Sequence, residues 1–188
     1  MNKTREITKL HTPIFDVVEK EFDHVPNFKP VGLNCPGWVT IIALDRSVKD
    51  DPITVLVKQT RWGIEDKTIE FPCGTIEAGE APKHAAVREF EEETGIKISE
   101  EDLYDLGSSN PNPAMFNNEM HFYLYYSKNL LDEFRARGNQ MLDENEDCEV
   151  FVSRLNNNLK DLLKYCMGAA AVGFLEIASK RLTKDAQN

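Results

Sequence analysis

The chain has 188 residues, enough to bury one substantial core without requiring a second full domain. Its 32 acidic residues against 22 basic ones give a formal net charge of -10. This charge argues against nucleic acid as the main partner, because most of the surface would repel a phosphate backbone. A small anionic substrate is still compatible with it, since bound divalent cations invert the local field of an acidic site.

The cellular setting is predicted from the cysteines and the apolar stretches. The four cysteines are far apart and form no C-x-x-C pair, so neither a zinc site nor a disulfide framework is expected. Residues 1–11 lack the apolar core of a secretory signal. The longest apolar stretch, residues 166–178, is too short to span a bilayer and contains Glu176. We therefore expect a cytoplasmic protein that does not enter a membrane.

The amino-terminal half is predicted to be rich in strands. The first ten residues are polar and expected to be frayed, whereas residues 12–22 have the β-branched and aromatic content of a strand. Two apolar runs, 38–44 and 53–60, are separated by a turn-rich segment and are expected to form an antiparallel pair. A further short strand is predicted at residues 67–71.

The second half is predicted to alternate helices and strands. A helix begins near Pro82 and ends at Thr94, closed by Gly95. Strands are predicted at residues 102–109, 119–127 and 149–155, and a helical tail at 159–182. Strands mixed with two or three helices indicate a layered α/β domain.

The helix after Pro82 carries an unusual concentration of carboxylates. At about 100° per residue, Glu89, Glu92 and Glu93 fall within one arc, next to an apolar arc that includes Phe90. A solvated charged surface is the ordinary explanation of such a run. Three carboxylates beside a packing face also repel one another unless a cation or solvent screens them.

The residues around this helix decide between the two explanations. From Gly74 to Ile96 the sequence satisfies G-x5-E-x7-R-E-U-x-E-E-x-G-U, where U is a bulky apolar residue. This pattern resembles the Nudix box. The fixed positions are Gly74, Glu80, Arg88, Glu89, Glu92, Glu93 and Gly95, with Phe90 and Ile96 at the apolar positions.

The resemblance implies a role for each of these residues. Glu89 and Glu93 would be the principal ligands of Mg2+, with Mn2+ as a possible substitute, and Glu92 would support or share a second ion. The backbone carbonyl of Cys73 would complete the coordination. Arg88 would orient the glutamates by pairing with them, and together with Glu92 it belongs to the implied catalytic set.

Sequence outside the box is similar to that of ADP-ribose pyrophosphatases. The run at residues 57–62, followed by 69–80, places Arg61 and Glu70 at matching positions, and Pro111 lies fifteen residues after Ile96, the spacing of a characteristic proline in that subgroup. The acidic segment 143–152 resembles a late loop that delivers a catalytic glutamate, here Glu146, with Glu144 close by. Arg61 is expected to meet a phosphate or the terminal ribose.

Three aromatic residues are candidates for stacking on the nucleobase: Trp38, Trp62 and Phe28. An aromatic side chain in or beside a strand more often belongs to the core, so this assignment competes with a structural one. The four histidines show no ligand spacing and receive no catalytic role.

The resemblance also predicts the architecture. We expect a mixed β-sheet sandwiched between helices (α/β/α), with residues 37–188 as the Nudix hydrolase domain. Residues 1–36 would form an amino-terminal strand extension that acts as a dimerisation arm in a homodimer.

The expected reaction is Mg2+-dependent hydrolysis of ADP-ribose to AMP and ribose 5-phosphate. The alternatives are another nucleotide sugar such as GDP-mannose, a nucleoside triphosphate, or a catalytically inactive Nudix module that binds a ligand. RNA decapping is disfavoured because it ordinarily asks for a basic groove.

Overall fold

The structure is a computed structural model that describes residues 3–45, 47, 51–142 and 147–185. These ranges contain ten strands and four α-helices. The strands are β1 (Lys3–His11), β2 (Asp16–Phe22), β3 (Val31–Asn34), β4 (Trp38–Asp45), β5 (Ile53–Arg61), β6 (Asp66–Glu70), β7 (Cys73–Thr75), β8 (Leu103–Ser109), β9 (Met120–Ser127) and β10 (Cys148–Arg154). The helices are α1 (Pro82–Thr94), α2 (Leu130–Ala136), α3 (Leu155–Leu162) and α4 (Cys166–Asp185).

The central sheet has seven strands. Its main path runs β10-β5-β4-β9-β8, with β6 paired to β5 and β7 paired to β4. The pairing of β4 with β9 is parallel and the other pairings are antiparallel, so the sheet is mixed. The predicted antiparallel pair of β4 and β5 is confirmed. Both strands appear in the sequence as apolar runs, which are typical of strands at the centre of a sheet, where both faces are buried.

Helices cover both faces of this sheet. On one face, α1 and α2 pack through Ala86, Phe90 and Leu130 against inward side chains of the central strands. On the other face, α3 and α4 pack through Leu162 and Ala171. Strand β4 serves both cores because its side chains alternate in direction. The expected α/β/α arrangement is confirmed.

A second sheet contains the three amino-terminal strands in the order β1-β2-β3. The expectation that the first ten residues are frayed is wrong: β1 pairs with β2 from Lys3 to His11. The sequence of this strand is polar and shows no apolar alternation, because backbone pairing and not burial stabilises the strand. The sheet joins the rest of the chain where Leu33 donates its N–H to the Met115 carbonyl at 2.7 Å and accepts from Asn117.

Three further differences concern short or interrupted elements. Strands β3 and β7 and helix α2 are too short to give a clear sequence period, and none of them was predicted. The helical tail is also two helices and not one, since α3 ends at Leu162 and α4 begins at Cys166. A methyl group on Gly168 would lie 2.1 Å from the Leu162 carbonyl oxygen, so this glycine permits the close approach of the two helices.

Candidate active site

Helix α1 carries the acidic residues of the site and has the predicted bounds. It begins at Pro82, whose missing N–H costs nothing in the first turn, and ends at Thr94, capped by Gly95 in a left-handed conformation with φ of 71°. Its buried face includes Ala86, Phe90 and Thr94, which fixes the helix on the sheet. The glutamates are thereby held at the edge of the packed surface.

Two glutamates of α1 lie against the two residues joined by the Cys73–Gly74 peptide, Glu93 at Cys73 and Glu89 at Gly74. The Cys73 amide N–H donates to Glu93 Oε2 at 2.8 Å, and Glu93 is buried, with 7% of its surface exposed. A Cβ atom on Gly74 would lie only 2.0 Å from the Glu89 Cδ atom. Position 74 must therefore be glycine if the Glu89 carboxylate is to rest on this strand.

Arg88 is hydrogen-bonded to three glutamates of the motif. Its Nε and Nη2 donate to both oxygens of Glu80, at 3.0 and 2.9 Å, and its Nη1 donates to Glu89 at 2.9 Å and Glu92 at 3.0 Å. Nη2 also donates to the Thr75 carbonyl. These contacts hold the pKa of Glu80 at about 2, because the Arg88 hydrogen bonds stabilise its charged form.

The donor set of this region fits a hard divalent cation. Among the described residues, no three His, Cys, Asp or Glu side chains already converge on one point from which they would hold a metal. The Cys73 carbonyl nevertheless belongs to the peptide that Glu89 and Glu93 flank, and Glu92 is one-third exposed. These are oxygen donors, which Mg2+ and Mn2+ prefer, and they carry the negative charge that such an ion neutralises.

A bidentate ion pair links strands β5 and β6. Arg61 donates from Nε and Nη2 to the two oxygens of Glu70 at 2.9 and 2.7 Å, and Thr68 donates to the same carboxylate at 2.5 Å. Burial alone would raise the pKa of Glu70, but the hydrogen bonds from Arg61 lower it below its ordinary value. Arg61 Nη2 also lies 3.5 Å from Cys73 Sγ. This pair therefore adjoins the peptide that the α1 glutamates flank.

A cavity of about 560 Å3 opens beside this ion pair. That volume lies within the range of pockets that hold small organic ligands. Five of the six predicted substrate residues line it: Trp38, Arg61, Trp62, Glu70 and Pro111. Trp62 is 76% exposed on the turn between β5 and β6, and the Arg61 guanidinium lies 5.4 Å from the centre of the Trp38 ring.

Two predicted site residues lie elsewhere or outside the described residues. Phe28 is 64% exposed in the loop between β2 and β3 and does not line the cavity. Glu146, the candidate catalytic base, and Glu144 lie outside the described residues.

Other residues of the site were not predicted. Tyr165, in the turn between α3 and α4, and Met167, in the first turn of α4, line the cavity. Gln140 donates its side-chain amide to the Glu93 carbonyl at 2.6 Å and to the Cys148 carbonyl at 3.2 Å, which ties the end of α1 to β10. No local pattern marks these residues, because their partners come from distant parts of the sequence.

The sequence matches known proteins over most of its length. It is 34% identical over 125 residues to the ADP-ribose pyrophosphatase of Bacillus subtilis (strain 168), covering 66% of this chain and 62% of that protein. It is 35% identical over 130 residues to the methanol dehydrogenase activator of Bacillus methanolicus, covering 69% of this chain and 62% of that one. The matches thus span less than two thirds of the length of these relatives.

The fold is also shared with a solved structure described as the crystal structure of ADP compounds hydrolase. The TM-score is 0.62 at 21% sequence identity, over 100% of this chain and 96% of that one. None of the helices among the described residues combines the length and apolar character that crossing a bilayer takes.

In the comparison with protein families, residues 38–163 match the NUDIX domain. The chain therefore belongs to the Nudix family.

Proposed function

We propose that this protein hydrolyses the diphosphate bond of ADP-ribose, with a divalent cation, to give AMP and ribose 5-phosphate. The observation that carries this proposal is the position of Cys73 between two groups of residues. Its amide N–H binds Glu93 of α1, and its thiol lies against the Arg61–Glu70 pair that lines the cavity. A metal-binding helix and a ligand cavity therefore adjoin at one residue.

The residues of α1 would hold the metal, and Mg2+ is the expected ion, with Mn2+ as a substitute. Glu89, Glu93 and the Cys73 carbonyl supply the principal ligands, and Glu92 supports a second ion. When bound, the metal neutralises the diphosphate and lowers the pKa of a water molecule. Arg88 keeps the carboxylates oriented through its hydrogen bonds to Glu89 and Glu92.

The cavity residues would hold the rest of the substrate. Arg61 presents guanidinium donors that match phosphate or ribose oxygens, and Glu70 fixes its orientation. Trp38 and Trp62 provide aromatic surfaces for the base. Glu146 is proposed to accept the proton of the attacking water or to position that water.

ADP-ribose is preferred to other nucleotides because of the Bacillus subtilis relative and the position of Pro111 on the cavity wall. GDP-mannose, another nucleotide sugar or a nucleoside triphosphate would use the same acidic helix. We also propose a cytoplasmic location, because the four cysteines are far apart in sequence and thiols stay reduced in the cytosol.

The test is turnover of a nucleotide panel with Mg2+, with products separated by chromatography. We expect ADP-ribose to be cleaved fastest, with release of AMP. Glu93→Gln removes one charge but keeps an oxygen for the Cys73 amide, so the variant should fold and lose about 100-fold in rate. Glu91→Gln is the matched control, because Glu91 lies on the same helix but pairs with Lys97 and should leave the rate unchanged.

Each alternative gives a different result. Release of pyrophosphate from nucleoside triphosphates, with no cleavage of ADP-ribose, would replace the substrate and keep the acidic site. Equal loss of rate in the Glu93 and Glu91 variants would contradict the specific role of Glu93. A protein that binds ADP-ribose and turns over no compound would be a ligand-binding module.

A further inference from the structure

A second, much smaller cavity lies next to the large one. Glu70, Tyr165 and Met167 line both, and Thr40 and Cys73 line only the small one. The space open to the centre of a water molecule is about 10 Å3. One water molecule needs about 10–15 Å3 measured in this way. The small cavity therefore has the size for a single water and for nothing larger.

Thr40 lines this cavity and carries a buried polar group without a partner. Its residue surface is 2% exposed, and its hydroxyl has no hydrogen-bond partner among the described residues. A buried hydroxyl without a partner is costly, so such groups are almost always paired in folded proteins. Thr40 lies on β4, directly opposite Cys73 of β7. Its neighbours in the sheet do not satisfy it.

Glu70 offers the complementary acceptor. Its Oε1 accepts strong hydrogen bonds from Arg61 and Thr68, whereas Oε2 accepts from Arg61 and otherwise only from the Cys73 thiol at 3.4 Å. A thiol is a weak donor, so Oε2 can accept one more strong hydrogen bond. Thr40 and Glu70 both line this small cavity, so a single water inside it lies beside both residues.

We infer that the small cavity binds one structural water, which links the Thr40 hydroxyl to the Glu70 carboxylate, and that Thr40 thereby acts as a positioning residue for Arg61. The positioning role rests on the proposed function, in which Arg61 contacts the substrate. The water holds the Glu70 carboxylate in place, and Glu70 in turn holds the Arg61 guanidinium at the wall of the large cavity. Loss of the link weakens substrate binding and leaves the chemistry at α1 intact.

The water itself is tested without substrate. A high-resolution crystal structure of the full chain should contain an ordered water within hydrogen-bonding distance of Thr40 Oγ1, and its absence would overturn the inference. Thr40→Val has the same shape without the hydroxyl. If the water is bound, the variant loses a hydrogen bond and its Tm falls; if the cavity is dry, it loses an unpaired hydroxyl and its Tm stays or rises. A Tm that does not fall would overturn the water site.

The positioning role is tested by kinetics with ADP-ribose. Thr40→Val should raise KM about fivefold, the fold-change for one lost hydrogen bond, and leave kcat unchanged. Thr40→Ser retains the hydroxyl and should keep the KM of the original protein. Thr54→Val makes the same chemical change at another fully buried threonine, one that does not line either cavity, and should leave KM unchanged.

Two outcomes would overturn the positioning role. One is an unchanged KM in Thr40→Val, which would make the hydroxyl purely structural. The other is an equal rise of KM in Thr40→Ser, which would assign the effect to the methyl group. If the protein cleaves no ADP-ribose, the proposed function and the positioning role fail together, while the crystal structure and the sign of the Tm change still decide the water site.

Discussion

At the scale of single residues, Arg88 explains how the acidic surface of α1 is stable in the folded protein. Glu80, Glu89 and Glu92 each accept at least one hydrogen bond from its guanidinium. Only arginine has donors in a planar fork that reach three carboxylates at once. The acidic arc is therefore not a solvated run of charges. Arg88 holds Glu89 and Glu92 in place, and the Cys73 amide N–H holds Glu93.

The Glu80–Arg88 pair makes the free energy of unfolding depend on pH. The pKa of Glu80 is about 2 in the folded protein against an ordinary value of 4.5, so the unfolded chain binds a proton first as pH falls. The stabilisation is complete above about pH 5 and is lost progressively as pH falls towards about 2. A double-mutant cycle of Glu80→Gln and Arg88→Gln, by urea unfolding, should give a coupling energy that shrinks between about pH 6 and about pH 3. A coupling energy that is constant over this range would contradict the assignment.

Single residues were predictable only where the sequence pattern is local. The spacing from Gly74 to Ile96 identified the acidic helix, because residues that share one helix face recur at fixed intervals. Thr40 and Gln140 could not be found in this way. Their surroundings come from distant parts of the sequence: Thr40 shares the small cavity with Glu70, and Gln140 donates to the Cys148 carbonyl.

At the scale of elements, the turn between α3 and α4 and the first turn of α4 form one wall of the large cavity. Tyr165, Cys166 and Met167 all line the large cavity, and Gly168 permits the close approach of the two helices. The position of this wall therefore depends on the distance between α3 and α4. Packing remote from α1 is thereby coupled to the shape of the large cavity.

This coupling predicts the effect of a single methyl group. Gly168→Ala places a Cβ atom 2.1 Å from the Leu162 carbonyl oxygen, so the helices must separate. We expect the free energy of unfolding to fall by about 2 kcal/mol or more, and KM for ADP-ribose to rise as the wall moves. Gly173→Ala is the control on the same helix. Nothing lies within 4 Å of the added methyl group, so this variant should be as stable or more stable. An unaffected Gly168→Ala variant would show that the close contact does not matter.

Elements were predictable where burial imposes a pattern. Strands β4, β5 and β9 are buried on both faces and appear as continuous apolar runs. Strand β1 can be polar, because backbone pairing with β2 and not burial stabilises it. The break between α3 and α4 depends on the close contact of Gly168 with Leu162. Neither feature leaves an apolar period, so sequence reasoning missed both.

At the scale of the whole molecule, the amino-terminal sheet exposes an unusual share of apolar surface. Large apolar side chains that are at least one-third exposed concentrate in its strands and loops: Leu10, Ile14, Val25, Phe28 and Val31. Exposed apolar side chains concentrated in one part of a fold are typical of protein interfaces. We propose that residues 1–36 form a dimerisation arm on the Nudix domain of residues 37–188.

The dimer can be tested by light scattering coupled to size exclusion at micromolar protein concentration. We expect the protein to elute with the mass of two chains, and Ile14→Asp to shift it towards one chain, because a charge in an apolar interface loses its hydration. Ile177→Asp is the matched control: Ile177 is 52% exposed on α4, far along the chain from the arm, and its replacement should leave the mass unchanged. A protein that elutes as a monomer would contradict the prediction.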